Sequence, residues 1–228
     1  MSSKPISNIF DAFEKMANSP TTQVSVVDNS EPLLKQLSDI KEFDDRIKFA
    51  EEHFKKLGEG SSRTAFQIDD SLILKVAHNE KGIAQNLVEM DPKLQRPCIN
   101  KAEVADAAGK WIIFPSNDTI TEKRFKEIVG FGFKPFMNAL FYKFNNESDK
   151  WSPPRDYEEI EKNPLFMCLM ETVLFCDLQL GDLDKCSSWG EVNGKVVLRD
   201  AGLNREVYKD YYQSDSSSTS SSPPKTSE

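Results

Sequence analysis

The sequence predicts an α+β fold in two lobes, a small antiparallel sheet followed by a truncated helical lobe. Two segments that alternate apolar and polar residues, T-A-F-Q-I from Thr64 and L-I-L-K-V-A from Leu72, predict paired strands. Apolar residues at spacings of three and four prevail after about residue 119 and predict helices. Strands in one part of a chain and helices in another are typical of the α+β class.

Composition predicts the organisation along the chain. Residues 1–30 are rich in Ser, Asn, Thr and Pro and are expected to be loosely ordered, and the Ser-rich tail at 213–228 is expected to be disordered. Residues 31–118 are expected to hold a helix and the sheet, and residues 119–212 the helical lobe. The formal charge of −8 disfavours general binding to nucleic acids or anionic membranes.

The cysteines and apolar runs indicate the compartment. The four cysteines lie far apart without a C-x-x-C pair, which is poor spacing for zinc: they are Cys98, Cys168, Cys176 and Cys186. No signal peptide is evident, and Glu171 interrupts the longest apolar run, which is too short to span a bilayer. We therefore expect a soluble cytoplasmic protein with reduced thiols.

The elements of the first lobe follow in order. An amphipathic helix is predicted to run up to a glycine-containing loop, from the spacing of Phe43, Ile47, Ala50, Phe54 and Leu57. The two alternating segments then form a hairpin that carries a lysine, Lys75, on its second arm. A helix is predicted over residues 79–90, and the segment K-W-I-I-F predicts a further strand.

Helices are predicted next around Phe125, around residues 136–141 and over 165–178. Near the end, Asn193 and Gly194 separate the short apolar segments E-V and K-V-V-L. Asn-Gly strongly favours a two-residue hairpin turn, since both positions need a positive φ. A second hairpin is therefore expected inside the helical lobe.

The segment L-G-E-G-S-S-R-T-A-F, from Leu57, is a candidate phosphate-binding loop. Gly58 and Gly60 lack side chains, which allows backbone N–H groups to approach phosphate oxygens closely. Two glycines at this spacing also suit a plain hairpin turn.

Lys75 is the second candidate, because its ammonium lies within an otherwise apolar strand. A strand lysine can simply extend to solvent. It can also pair with a helix glutamate and bind phosphates, and Glu89, or less well Glu80, follows at a suitable distance. Glu89 could equally be an ordinary solvated acid of a helix.

The third candidate is the segment at 181–203, G-D-L-D-K-C-S-S-W-G-E-V-N-G-K-V-V-L-R-D-A-G-L. Its two ends, near Asp182 and Asp200, should meet because the hairpin at Asn193 brings them together. The triplet D-A-G could also be a simple turn at the end of a strand.

Residues 43 to about 212 resemble a small, divergent protein-kinase-like fold, similar to kinase-like proteins encoded by bacteriophages. The run L-K-V-A-H-N-E-K-G-I-A-Q-N, from Leu74, carries the phage resemblance. The resemblance implies ATP and Mg²⁺ as cofactors and assigns roles by motif. These roles are nucleotide binding for Gly58, Gly60, Lys75 and Glu89, catalysis for Asp182, and metal binding for Asp200 and Ser187.

The sequence departs from the kinase pattern at several points. Arg63 stands where the third loop glycine would be, the histidine before the catalytic aspartate is absent, and Ser187 or Ser188 replaces the metal-binding asparagine. Serine is a poorer Mg²⁺ ligand. After Leu203 too few residues remain before the tail for an activation segment or a peptide-binding surface.

Three functions remain open from the sequence. The first is a degenerate kinase-like protein, a pseudokinase, that binds a partner or serves a structural role, with or without a retained nucleotide. The second is an active minimal ATP-dependent phosphotransferase acting on a small or partner-held substrate. The third is an interaction module without a ligand. A protein partner is expected, and its candidate site is a set of aromatic residues that more often cap a small core: Trp151, Tyr208, Tyr211 and Tyr212. The location would be host cytoplasm or virion if the protein is phage-encoded.

Overall fold

The structure is a computed structural model that describes residues 30–145 and 153–213, apart from the side chain of Asp182. The predicted loose N-terminal segment and the Ser-rich tail therefore lie outside the described residues, except for Ser30 and Gln213, and Trp151 lies outside them too. Within the described residues, the predicted α+β class is confirmed: a small antiparallel sheet comes first and most helices follow it.

The first half of the chain forms the sheet and three helices. Helices α1, α2 and α3 span Glu31–Asp39, Phe43–His53 and Glu80–Met90. Strands β1, β2 and β3 span Lys55–Glu59, Arg63–Gln67 and Leu72–Ala77, and strands β4 and β5 span Val104–Ala105 and Trp111–Pro115. Short 3-10 turns occur in both halves, at Pro92–Leu94, Leu180–Asp182 and Cys186–Ser188.

The second half is helical apart from one hairpin. Helices α4, α5, α6 and α7 span Glu122–Val129, Phe133–Phe144, Tyr157–Ile160 and Pro164–Cys176. The hairpin strands β6 and β7 span Trp189–Val192 and Lys195–Leu198, and the short helix α8 spans Arg205–Tyr211. Asn193 and Gly194 both have a positive φ, 51° and 74°, which confirms the predicted hairpin turn.

The five strands of the sheet are antiparallel in the order β1-β2-β3-β5-β4. Alternation in β2 and β3 sends Phe66, Leu74 and Val76 to one face, where they pack against α1 and α2. This first core covers one face of the sheet. The opposite face carries Ala65 and Lys75, which are paired across β2 and β3.

A second core fills the helical half. Phe125 is fully buried and makes edge-to-face contacts with Phe133, Phe136 and Trp189, which join α4, α5 and the hairpin. Leu94, Cys98 and Ile99 also belong to this core, although they precede β4 and β5 in the chain. The division at residue 118 stays a prediction.

The structure corrects one predicted boundary. The helix predicted to continue to Leu57 ends at His53, and Leu57 lies in β1. Phe54 already has an extended backbone, with φ −131° and ψ 148°, and Lys55 pairs with Gln67. Apolar spacing alone gave the wrong end because Leu57 continued the helical period by chance.

The cysteines correct another prediction. Cys98 and Cys168 form a disulfide in the second core, with their Cα atoms 6.1 Å apart, whereas Cys176 and Cys186 are free. The expectation of four reduced thiols is therefore wrong for this pair. A separation of 70 residues gave no sequence signal, because pairing depends on how α7 packs beside the segment that follows α3.

The predicted aromatic surface lies partly on α8. Tyr208 and Tyr212 stack with ring centroids 5.8 Å apart, and the Lys81 ammonium on α3 lies 4.5 Å from the Tyr212 ring centroid. These contacts place α8 against α3, and a partner role for the tyrosines stays a prediction. No helix among the described residues is long and apolar enough to cross a membrane.

Candidate functional site

A cleft of about 300 Å³ opens on the sheet face opposite the first core. Leu57, Ala65 and Ile73 form an apolar wall from β1, β2 and β3. The remaining lining comes from both halves of the chain: Gly58, Lys75, Asn100, Phe114, Pro115, Asn117, Ser187, Arg199 and Asp200. The cleft therefore brings together residues that are far apart in the sequence.

Lys75 faces into this cleft and not into solvent. Its Nζ lies 3.2 Å from Glu89 Oε1 and 3.3 Å from the backbone oxygen of Arg199. The ammonium also lies 4.5 Å from the ring centroid of Phe114. Of the two glutamates considered from the sequence, Glu89 is therefore the one that holds Lys75, and Glu80 is exposed.

Glu89 is buried at the C-terminal end of α3 and is shared by three donors. Besides Lys75, it accepts hydrogen bonds from the Arg63 guanidinium and, at 3.1 Å, from the backbone N–H of Ala201. The carboxylate thus connects α3, the sheet and the D-A-G triplet. Glu89 is therefore not an ordinary solvated acid on the surface of a helix.

Arg63, at the start of β2, is the main feature that the sequence analysis did not foresee. Its side chain is buried and pairs with Glu89 and, at 2.6 Å, with Asp200 Oδ1. It also donates to Asn86 Oδ1 at 3.2 Å. A clue existed in the sequence, because Arg63 departs from the glycine of the kinase pattern, but its partners follow only from the tertiary fold.

Asp200 lies at the rim of the cleft, with its side chain 57% exposed. One oxygen, Oδ1, lies 2.6 Å from Arg63 and 3.9 Å from the Lys75 ammonium. Desolvation raises the pKa of Asp200, but Lys75 and Arg63 outweigh it and hold the pKa well below its usual range. Desolvation likewise lowers the pKa of Arg63, and Glu89 and Asp200 outweigh it, so that the pKa stays above its usual value.

The structure brings only one glycine of the candidate loop into the cleft. Gly58 lines it, at a bulge in β1. The N–H of Gly60 donates to the carbonyl of Arg63 at 2.9 Å and closes the hairpin between β1 and β2. Ser62 at the hairpin tip donates to Gln85 Oε1 on α3 at 2.5 Å, so this loop is fastened to α3.

The close approach of the loop to α3 requires a glycine in the helix. A Cβ added at Gly82 would lie 2.2 Å from the carbonyl oxygen of Ser62 and 3.1 Å from Ala77. Asn79 caps the same helix end by accepting from the Gly82 N–H at 3.0 Å, and its amide donates to the Ser61 carbonyl. These contacts fix the position of α3, and thereby of Glu89.

Among the described residues, Asp200 is a poor Mg²⁺ ligand through its Oδ1 atom. Mg²⁺ is usually bound by one or two carboxylates together with waters and phosphates, whereas Asp200 Oδ1 is paired with Arg63. Ser187 is an exposed residue that lines the cleft, and no group of three or more His, Cys, Asp and Glu residues suited to a metal occurs among the described residues. The side chain of the predicted catalytic residue, Asp182, lies outside them, so its convergence with Asp200 stays a prediction.

Arg199 is a second cleft residue that the sequence analysis missed. It follows β7, and its guanidinium donates to Thr119 Oγ1 in the segment between β5 and α4. Desolvation lowers the pKa of Arg199 despite Asp118 and Asp200 nearby. Among the described residues, the hydrogen bond of this partly buried guanidinium goes to a neutral hydroxyl, so Arg199 is a candidate contact for an anion.

Comparisons with known proteins add little to this geometry. No family model and no curated protein matches the chain. The structure is similar to that of a ternary complex of streptomycin, ATP and APH(2″)-IIa, with a TM-score of 0.31 and 13% sequence identity over 78% of this chain and 71% of that chain. At this TM-score the likeness does not decide a function.

Proposed function

We propose that this chain is a kinase-like protein that binds a nucleotide in the cleft and has lost phosphoryl transfer. The observation that carries the proposal is the Arg63 network. The pair of Lys75 and Glu89 is the arrangement that kinase-like proteins use to hold nucleotide phosphates. Asp200, the aspartate that would bind the metal, is paired with an arginine of the same chain.

The cleft suits a nucleotide in size and polarity. A volume of about 300 Å³ is at the lower end of the usual range for ligand sites. Leu57, Ala65 and Ile73 offer an apolar surface for a base, and Lys75 and Arg199 offer positive charge for phosphates. Apolar walls with a few convergent polar groups are typical of small-molecule sites.

The loss of phosphoryl transfer follows from the groups that would have to bind the metal. Phosphoryl transfer relies on metal electrostatics and on precise positioning. Ser187 or Ser188 replaces the usual asparagine, and Asp200 is engaged by Arg63. A binding or structural role with a protein partner, the resemblance to phage-encoded proteins and a cytoplasmic location are parts of the proposal that rest on the sequence alone.

A thermal-shift titration tests nucleotide binding. ATP at about 100 times its Kd should raise the Tm by about 5 °C or more, because a ligand that binds only the folded state stabilises it. Ala65→Phe, which fills the cleft without changing its charge, and Lys75→Met should both reduce the shift. Lys123→Met, at an exposed lysine on α4, is the matched control. A full shift in Ala65→Phe would contradict binding in this cleft.

The active minimal phosphotransferase is the second candidate, because Asp200 is accessible from the cleft that contains Lys75. A transfer assay with labelled ATP and Mg²⁺ separates the two candidates. We expect no phosphate transfer or release by the wild type above the level of Asp200→Ala. A clear wild-type rate that Asp182→Asn abolishes would overturn the degenerate function in favour of the active one.

A further inference from the structure

Arg63 places a positive charge between two carboxylates beside the cleft. Its guanidinium is buried between two carboxylates that come from α3 and from the segment after β7, Glu89 and Asp200. Both carboxylates would repel a phosphate if they were unpaired. In the structure, each has a cationic partner supplied by the protein itself.

The pairing also determines what a divalent cation would have to displace. Arg63 donates to Asp200, Glu89 and Asn86, so three of the five N–H groups of its guanidinium have these acceptors. A metal bound through the inner oxygen of Asp200 would break a charge-assisted bond of 2.6 Å and leave part of a buried guanidinium unpaired. This cost opposes metal binding through the Oδ1 atom of Asp200.

Donors for an anion are nevertheless present. Lys75 has three N–H groups, of which Glu89 and the Arg199 carbonyl accept two. The Arg199 side chain lines the same cleft, and its hydrogen bond goes to the neutral hydroxyl of Thr119. Direct contact between these two cations and a phosphate needs no bridging metal.

We propose that the cleft binds the phosphate groups of a nucleotide directly, without a divalent cation, with Arg63 as the internal cation that keeps Glu89 and Asp200 paired. This inference rests on the proposed function, because it concerns the ligand of the same cleft. It assigns Arg63 a positioning role and Arg199 a direct contact with phosphate. It also sets the ligand class: a free nucleotide and not its magnesium complex.

Calorimetric titration of the full-length protein with ATP tests the inference, once with EDTA and once with excess MgCl₂. We expect wild-type affinity in EDTA to equal or exceed the affinity in MgCl₂. Binding that requires MgCl₂ would overturn the inference and leave the proposed function standing. Absence of binding in both buffers, at ATP concentrations up to the millimolar range, would overturn the proposed function together with the inference.

Variants of Arg63 distinguish a role in positioning the two carboxylates from a role in stability alone. Arg63→Gln frees the Asp200 carboxylate, so its ATP affinity should become dependent on MgCl₂, with at least about a tenfold difference between the two buffers. Arg63→Lys retains a cation, so the ratio of its ATP affinities in the two buffers should stay near one. A purely structural role of Arg63 would lower affinity equally in both buffers, and that result would overturn the assigned role.

Arg199→Gln gives an independent test that does not disturb the buried network. It should weaken ATP binding at least about tenfold in EDTA and leave the weaker binding of adenosine, which lacks phosphate, unchanged. Lys123→Gln is the matched control and should alter neither ligand. Equal ATP affinity for Arg199→Gln and the wild type would contradict the phosphate contact, even if Arg63→Gln failed to fold.

Discussion

Arg63 Nη2 lies 2.6 Å from Asp200 Oδ1, although 137 residues separate the two in the chain. The contact joins the first hairpin of the sheet to the segment that follows the second hairpin. Because Glu89 on α3 binds the same guanidinium, the sheet, the helix and the D-A-G triplet share one network. The geometry of the cleft depends on this network more than on any single motif.

Glu89→Gln should destabilise the protein by about 3 kcal/mol, because removal of one partner leaves buried cationic groups without their carboxylate. Urea denaturation followed by circular dichroism measures the loss. Glu80→Gln changes an exposed glutamate at the other end of α3 and should alter the free energy of unfolding by less than about 0.5 kcal/mol. Equal losses of stability in the two variants would contradict the role of Glu89 as the shared acceptor of the buried network.

Acid should remove the stabilising contribution of Asp200. Its pKa is lower in the folded state than in the unfolded chain, so the contribution is fully present above the ordinary pKa of about 4 and is lost as the pH falls through the folded-state value. The stability difference between wild type and Asp200→Asn should therefore stay constant from pH 7 to about 5 and shrink as the pH falls below about 4. Urea denaturation at several pH values measures this difference in the free energy of unfolding. A difference that does not change with pH would contradict the ion pair.

Gly82→Ala should destabilise the protein by about 2 kcal/mol or more. Alanine favours a helix by up to about 1 kcal/mol over glycine, but its Cβ would lie 2.2 Å from the Ser62 carbonyl. Displacement of the hairpin tip should also reduce the ATP-induced thermal shift. In Gly181→Ala the added Cβ meets no atom within 4 Å, so its Tm should change little. A stabilised Gly82→Ala would disprove the close approach.

The disulfide should be detectable and stabilising when the protein is purified under oxidising conditions. The intact mass should then be lower by two hydrogens than after reduction, and reduction should cost about 2–4 kcal/mol of stability. Cys168→Ala should abolish this response to reductant, whereas Cys176→Ala, in the same helix, should retain it. If alkylation detects four free thiols in the oxidised protein, the pair is not bonded.

The sequence by itself determined the local elements. Alternation placed Lys75 on the second arm of a hairpin, and Asn193 with Gly194 fixed the second hairpin through their need for a positive φ. The sequence also predicted a helix over residues 79–90, which is α3 and carries Glu89. These features depend on the conformational preferences of neighbouring residues, and neighbouring residues are what a sequence pattern contains.

The tertiary structure alone decided which side chains meet. It ended α2 before Leu57, since strand pairing with β2 replaced the helical hydrogen bonds, and it joined Cys98 to Cys168. It also brought Arg63 and Arg199 into the candidate site and engaged the Gly60 N–H in a turn. Charge pairing across more than 100 residues leaves no local pattern, because its energy depends on burial and distance, which exist only once both cores have packed.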